Sequence, residues 1–148
     1  MSLLTPNDVF VATKQRVRLT QRTDKTASGA HFPDTPVARC LYEPTKRDPR
    51  ASVGEMRSRA VEVAVLRLSD LDGRSVVTPP EGADELLRVD GHAAKLTLYP
   101  ASSYLMALDA PPYGLGVQVR LRGLDERTAR AATMGIARTI SSRIRAAV

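Results

Sequence analysis

Tryptophan is absent from this chain of 148 residues, aromatic residues make up 4%, and cysteine occurs once, as Cys40. With so few aromatics the core has to be assembled from Val, Leu, Ile and Ala. A single cysteine excludes an intramolecular disulfide and any multi-cysteine metal site within the chain. No stretch approaches the roughly 20 consecutive apolar residues of a membrane-spanning helix. The opening segment, Met1 to Phe10, lacks the basic stretch followed by an apolar run that marks a secretory signal. Lysine is also scarce, four residues against 18 arginines.

What is present fits one globular domain spanning 1–148. At 43% hydrophobic residues, a chain of this length buries roughly 70% of the surface its unfolded form exposes, so neither metal nor disulfide is needed to hold it together. The net charge is +6 and the pI near 10.0, a balance that attracts acidic partners such as nucleic acid, anionic lipid or acidic polymer. The positive charges are spread along the chain, however. A preference for arginine together with abundant alanine is also what a GC-rich genome writes.

Thr5-Pro6-Asn7-Asp8 starts a short helix to about Thr13: Thr5 caps free amides, Pro6 suits the first helical position and Asp8 the positive end of the dipole. Lys14 to Arg22 alternates, with Val17 and Leu19 on one face and Arg16, Arg18 and Thr20 on the other, as in an edge strand with one wet face. A polar loop over Thr23 to Pro36, a strand over Val37 to Tyr42 and a second polar loop over Glu43 to Ser58 follow. Arg59 to Leu68 reads as a central strand, with Val61, Val63 and Val65 on one face and Leu66 and Leu68 on the other. Asp70 to Gly73 turns the chain, Ser75 to Thr78 reads as a brief strand, and Pro79 to Gly82 leads into the final unit.

That unit is a meander. Leu86 to Val89 and His92 to Leu98 flank Asp90-Gly91, the strongest short-range signal for a tight hairpin, because a type I′ turn needs positive φ at both central residues. Tyr104 to Leu108 and Leu115 to Leu121 follow, then an amphipathic helix from Glu126 to about Ala146. Ala129, Ala132, Thr133, Ile136, Ile140, Ile144 and Ala147 form a stripe wide enough to cover a sheet. The opposite side carries Arg127, Arg130, Arg138 and Arg145, and at 100° per residue Arg127, Arg138 and Arg145 fall almost in line, a stripe suited to phosphates or a membrane surface. The fold class is α+β: an antiparallel sheet of about five to six strands, a short N-terminal helix and a long C-terminal helix packed on the sheet.

Catalytic constellations are thin. His31, Asp34 and Cys40 are close in sequence, but Cys–His chemistry depends on geometry and a lowered thiol pKa that spacing does not supply; Cys40, beside Leu41 in a strand, suits a small buried apolar residue. His92 has no identifiable partner. Gly114-Leu115-Gly116 enters a strand rather than a helix and reads as a turn rather than a phosphate loop. No catalytic residue, metal ligand set or cofactor site is assigned, and the chain reads as a binding domain rather than an enzyme.

Long structureless loops in a compact domain are often functional. The loops at Thr23 to Pro36 and Glu43 to Ser58 are expected to bound a cleft, with Arg47, Arg50 and Arg57 as anion contacts. Tyr42, Tyr99, Tyr104 and Tyr113 serve as apolar contacts with polar tips. The expected ligand is a small amphiphile or anion. The alternative is a subunit or adaptor whose strand from Lys14 to Arg22 pairs with a protein partner or another copy, the chain being a monomer or a homodimer. Specific nucleic-acid binding is not expected, for neither a helix-turn-helix pattern nor base-stacking aromatics are present.

Leu3-Leu4-Thr5-Pro6-Asn7-Asp8-Val9 opening a helix, Arg39-Cys40-Leu41-Tyr42, Val89-Asp90-Gly91-His92-Ala93-Ala94-Lys95-Leu96, and Leu124-Asp125-Glu126 before an Ile-rich helix together resemble actinobacterial extracytoplasmic lipoprotein domains. They are similar also to the extracellular sensor domains of mycobacterial receptor serine/threonine kinases and to the broader PsbP-like group. The resemblance implies a curved antiparallel sheet flanked by helices, a groove between sheet and loops, and ligand or partner binding outside the membrane, with any leader lying outside this chain. Several members pair cysteines; here Cys40 stands alone. Without the resemblance, a cytoplasmic location is the alternative.

Overall fold

The computed structural model describes residues 3–23, 37–46, 49–50, 52, 61–71, 76–77, 84–99, 103–110, 113–122 and 124–147. Helix α1 (Pro6–Thr13) starts as its sequence requires. Thr5 accepts a bond from the Asp8 amide at 3.2 Å, and Asp8 Oδ2 accepts one from the Thr5 amide at 2.6 Å, a reciprocal capping box with Pro6 in the first turn. Lys14 ends it in the left-handed conformation, φ 62°.

Seven strands follow: β1 (Val17–Thr23), β2 (Val37–Pro44), β3 (Val61–Arg67), β4 (Asp84–Val89), β5 (His92–Tyr99), β6 (Ser103–Ala110) and β7 (Leu115–Leu121). They form one antiparallel sheet in the order β1-β2-β3-β7-β6-β5-β4. The count is seven rather than the expected five to six. The two edge strands, β1 and β4, are each half polar, and β4 opens on Asp84-Glu85, which by composition alone reads as loop. Val76 and Val77, expected in a brief strand, are not in one; both are buried against the sheet. The Asp90-Gly91 turn has the expected geometry, φ 49° and 81°, and joins the Val89–His92 pair.

Helix α2 (Glu126–Ala147) closes the fold. Asp125 Oδ1 accepts from the Thr128 amide at 3.0 Å, capping its start. Ala129, Ala132, Thr133, Ile136, Ile140 and Ile144 are buried as the stripe predicts, joined by Ala137 and Ser141. They pack in one cluster with Val61 and Val63 of β3, Val117, Val119 and Leu121 of β7, Met106 and Leu108 of β6 and Leu96 of β5. Each isoleucine so buried contributes about 1.5–3 kcal/mol. This layer also holds the N-terminus: Tyr42 donates to the Leu4 carbonyl at 2.6 Å, and Arg143 of α2 donates to the Leu3 carbonyl at 3.2 Å and to both oxygens of Asp8.

The other face of the sheet carries a smaller cluster: Ala64 and Leu66 of β3 and Ala107 of β6 meet Val76 and Val77, with Leu68 against them. Val76 is fixed there by its amide, which donates to Asp109 Oδ1 at 3.2 Å. Gly116 of β7 makes this approach fit, since a Cβ there would lie 3.0 Å from both Leu66 Cδ1 and Val76 Cγ1.

Candidate functional site

Because β7 joins β3 to β6, polar residues that are far apart in sequence fall into rows across the face turned away from α2. One row runs Leu41, Glu62, Arg120, Leu105, Thr97 and Asp84 from β2 to β4. The next runs Arg39, Ala64, Gln118, Ala107, Lys95 and Leu86. Glu62, Gln118, Arg120 and Lys95 alternate along their strands with buried apolar residues of the opposite face, which is how a period of two separates a polar from an apolar side.

Ion pairs order this face. Arg39 Nε lies 3.1 Å from Glu62 Oε1, each side chain about 30% exposed, and Glu62 is directly opposite Arg120. Toward the other edge, Lys95 Nζ is 3.7 Å from Asp84 Oδ2, with side chains only 16% and 9% exposed. Between these pairs Ala64 and Ala107, which flank Gln118 in the register, are buried under Val76 and Val77. The result is two charged pairs, one toward each edge of the sheet, separated by the Val76–Val77 cluster on Ala64 and Ala107. The Arg39–Glu62 end, with each side chain about 30% exposed, is the part of this face that can meet a polar or anionic group.

The expected contact residues are dispersed. Tyr42 is 1% exposed, with its hydroxyl used on the Leu4 carbonyl; it is a core residue with no face to offer a ligand. Tyr113 is half-buried and packs edge-on against His92, ring centroids 6.1 Å apart at 66°. Tyr99 and Tyr104 lie on β5 and β6, opposite Ser103 and Leu98; their side chains fall outside those described. Arg50 sits exposed in the turn after β2, while Arg47 and Arg57 lie outside the described residues. The two long connections leave opposite ends of β2, after β1 and before β3. Their attachment points on β2 are therefore at opposite ends, about 24 Å apart for a strand of this length, and the cleft expected between the two connections lies outside the described residues. The residues sequence reasoning missed are Arg39, Glu62, Lys95, Gln118 and Arg120. The signal was the polar position between two valines in Val61-Glu62-Val63 and in Val117-Gln118-Val119.

The basic stripe of α2 is real but reduced. Arg130 is held by Glu85 of β4 at 2.7 and 2.9 Å, and its guanidinium keeps that carboxyl below the usual range. Arg143 is held by Asp8. Arg127, Arg138 and Arg145 remain exposed, without an ion pair among the described residues, spread at intervals of about 16 and 10 Å along the helix.

No known protein family, curated protein or solved structure matches this chain. Function must therefore be argued from the chemistry of the chain itself. Among the described residues, no group of three His, Cys, Asp or Glu side chains could hold a metal ion. Cys40, half-buried on β2, stands opposite Val63, and His31 and Asp34 lie outside the described residues. No described helix is long and apolar enough to cross a membrane.

Proposed function

We propose that this protein is a non-enzymatic binding domain acting outside the cytoplasm, which receives a small amphiphilic or anionic ligand on the sheet face turned away from α2. The observation that supports the ligand site is the Arg39–Glu62 ion pair beside Arg120 and Gln118 on interior strands; the placement outside the cytoplasm rests on the resemblance alone. Guanidinium groups fixed by a neighbouring carboxylate are positioned in advance for an anionic head group, which lowers the ordering penalty of binding. Arg50 lies beyond the end of β2, within the connection that leads to the Glu62 and Arg120 end of the face, and supplies a further anion contact together with Arg47 and Arg57.

The test is titration of the purified chain with lysophosphatidylglycerol, an anionic amphiphile, below its micelle concentration. Saturable binding is expected, weakened about tenfold or more, over 1.4 kcal/mol, by Arg39→Glu combined with Arg50→Glu. Absence of saturable binding, or an affinity untouched by that double reversal, overturns the ligand reading. Location is tested separately by fractionating cells that express the native gene: recovery in the cytosol would replace the extracytoplasmic placement with that of a cytoplasmic interaction subunit.

A further inference from the structure

Beyond Glu126, α2 carries five arginines and no acidic residue. Two of them sit on opposite flanks of the helix and are neutralised from neighbouring elements, Arg130 by Glu85 of β4 and Arg143 by Asp8 of α1. The other three, Arg127, Arg138 and Arg145, stand exposed without an ion pair among the described residues. At about 100° per residue they fall within about 20° of one line along the helix, on the side away from buried Ile136, Ile140 and Ile144. The surface beside this line is low. Ala131 and Ser142 are short and exposed, and a Cβ at Gly135 would meet nothing within 4 Å. Helix α1 lies on the same side of the sheet, since its Val9 joins the cluster under α2. Val11, about 200° round from Val9, therefore faces outward with 60% of its surface exposed, and Lys14 at the end of α1 is exposed as well.

We infer that the outer side of this helical layer docks on the surface of a bilayer containing anionic lipid. A straight row about 27 Å long brings all three guanidinium groups within one Debye length, about 8 Å at physiological salt, of a flat charged surface at the same time. Each basic side chain so placed strengthens binding about fivefold, and the three together give a preference of about a hundredfold for anionic over neutral lipid. The exposed acids of α2, Asp125 and Glu126, are confined to its start, and Asp125 Oδ1 is engaged by the Thr128 amide. Val11 decides between a membrane and a nucleic acid. An exposed apolar side chain on the same outer side gains by entering the boundary between head groups and acyl chains, and gains nothing from a phosphate backbone. No aromatic residue of α2 is available to stack a base, and the one ring of α1, Phe10, is half-buried with the Arg16 guanidinium 4.4 Å from its centroid. The docking surface lies on the opposite side of the sheet from the proposed ligand site and stands independently of it.

Vesicles of phosphatidylcholine with and without phosphatidylglycerol test it on the full chain. Co-sedimentation is expected with the anionic vesicles and not with the neutral ones. Arg138→Gln combined with Arg145→Gln should weaken it about 25-fold and keep the wild-type far-UV spectrum, because neither guanidinium has an ion pair among the described residues. Arg39→Glu combined with Arg50→Glu, the reversal that tests the ligand site, should change vesicle binding by no more than about twofold, since those charges are screened on the far side of the sheet; the two readings therefore fail separately. The chain has no tryptophan, so a single introduced one reports its own position. Fluorescence of Val11→Trp should be quenched by brominated acyl chains, while that of Leu86→Trp, at an exposed position on the opposite face of the sheet, should not. Binding to neither kind of vesicle or equally to both, a double glutamine variant that binds like wild type, or quenching at position 86 equal to that at position 11 overturns the proposal. Tighter binding to double-stranded RNA than to the anionic vesicles at the same salt also overturns it, and assigns the row to a nucleic acid.

Discussion

Replacing Asp8 by alanine is expected to destabilise the fold by about 2 kcal/mol. Two losses add. The carboxylate completes the capping box of α1, a device of about 1 kcal/mol. It also takes a two-pronged, charge-assisted contact from Arg143, 135 residues away; such bonds contribute about 1.5–3 kcal/mol when desolvated. Because Arg143 keeps 35% of its side chain in water while Asp8 keeps 16%, the contact belongs at or below the lower end of that range. The same contact sets the carboxyl's pKa: hydrogen bonding from Arg143, opposed by burial, holds it at about 2 against 3.8, a shift equivalent to about 2 kcal/mol. A folded value below the unfolded one means the stabilisation is complete above the unfolded pKa and is lost as pH falls from about 4 toward 2. Urea unfolding followed by far-UV circular dichroism on wild type, Asp8→Ala and Asp8→Asn measures this directly. At pH 7 Asp8→Ala should lower the melting temperature by about 4–8 °C. The gap to Asp8→Asn, which removes the charge and turns one acceptor oxygen into a donor, should narrow to about 0.4 kcal/mol of charge-dependent stabilisation at pH 2, where half of the native carboxyls are still ionised. A difference below about 0.5 kcal/mol at pH 7, typical of surface substitutions, or a gap unchanged at pH 2, would refute the reasoning.

Gly116→Ala should destabilise by about 1–3 kcal/mol, since its Cβ would press on Leu66, Val76 and Leu68 at 3.0–3.2 Å; thermal melting checks it, and Val76→Ala in the same chain should recover part of the loss. Gly91→Ala faces open space but a φ of 81°, so its destabilisation, about 1 kcal/mol, should arise from backbone strain alone and should not be relieved by any neighbouring truncation. Ser141 is 2% exposed, with an Oγ that has no hydrogen-bond partner among the described residues, whereas Thr133 on the same helix donates to the Ala129 carbonyl at 2.7 Å. Ser141→Ala should therefore raise the unfolding free energy, by about 1 kcal/mol, and Thr133→Val should lower it; denaturant titration separates the two signs.

The local elements were legible because their causes lie within a few residues. Thr5-Pro6-Asn7-Asp8 satisfies its own amides, Asp90-Gly91 supplies two positive φ angles, and the Ile136, Ile140 and Ile144 spacing marks one face of a helix. Those features were enough to read an α+β chain with a helix at each end and an antiparallel hairpin between. The candidate site was much less legible. Tyr42 reads as a polar-tipped contact beside a loop, yet its hydroxyl is used on Leu4, 38 residues away, and the Val76–Val77 segment reads as a strand although it serves as a plug on the sheet.

By itself, then, the sequence determined the helix at each end, the antiparallel hairpin and the apolar face of the last helix, because periodicity and capping are short-range. Only the tertiary structure decided that β3 pairs with β7, and through that one long-range pairing the rest follows: Glu62 comes beside Arg120, Asp8 meets Arg143, Gly116 receives Val76, and β1 and β4 become the edges. No local pattern encodes such a pairing, since it is selected by the joint burial of both apolar faces under α2. The strand that reads as an edge in sequence, β1, is one in the sheet and carries an interruption between Leu19 and Gln21, and the opposite edge is β4.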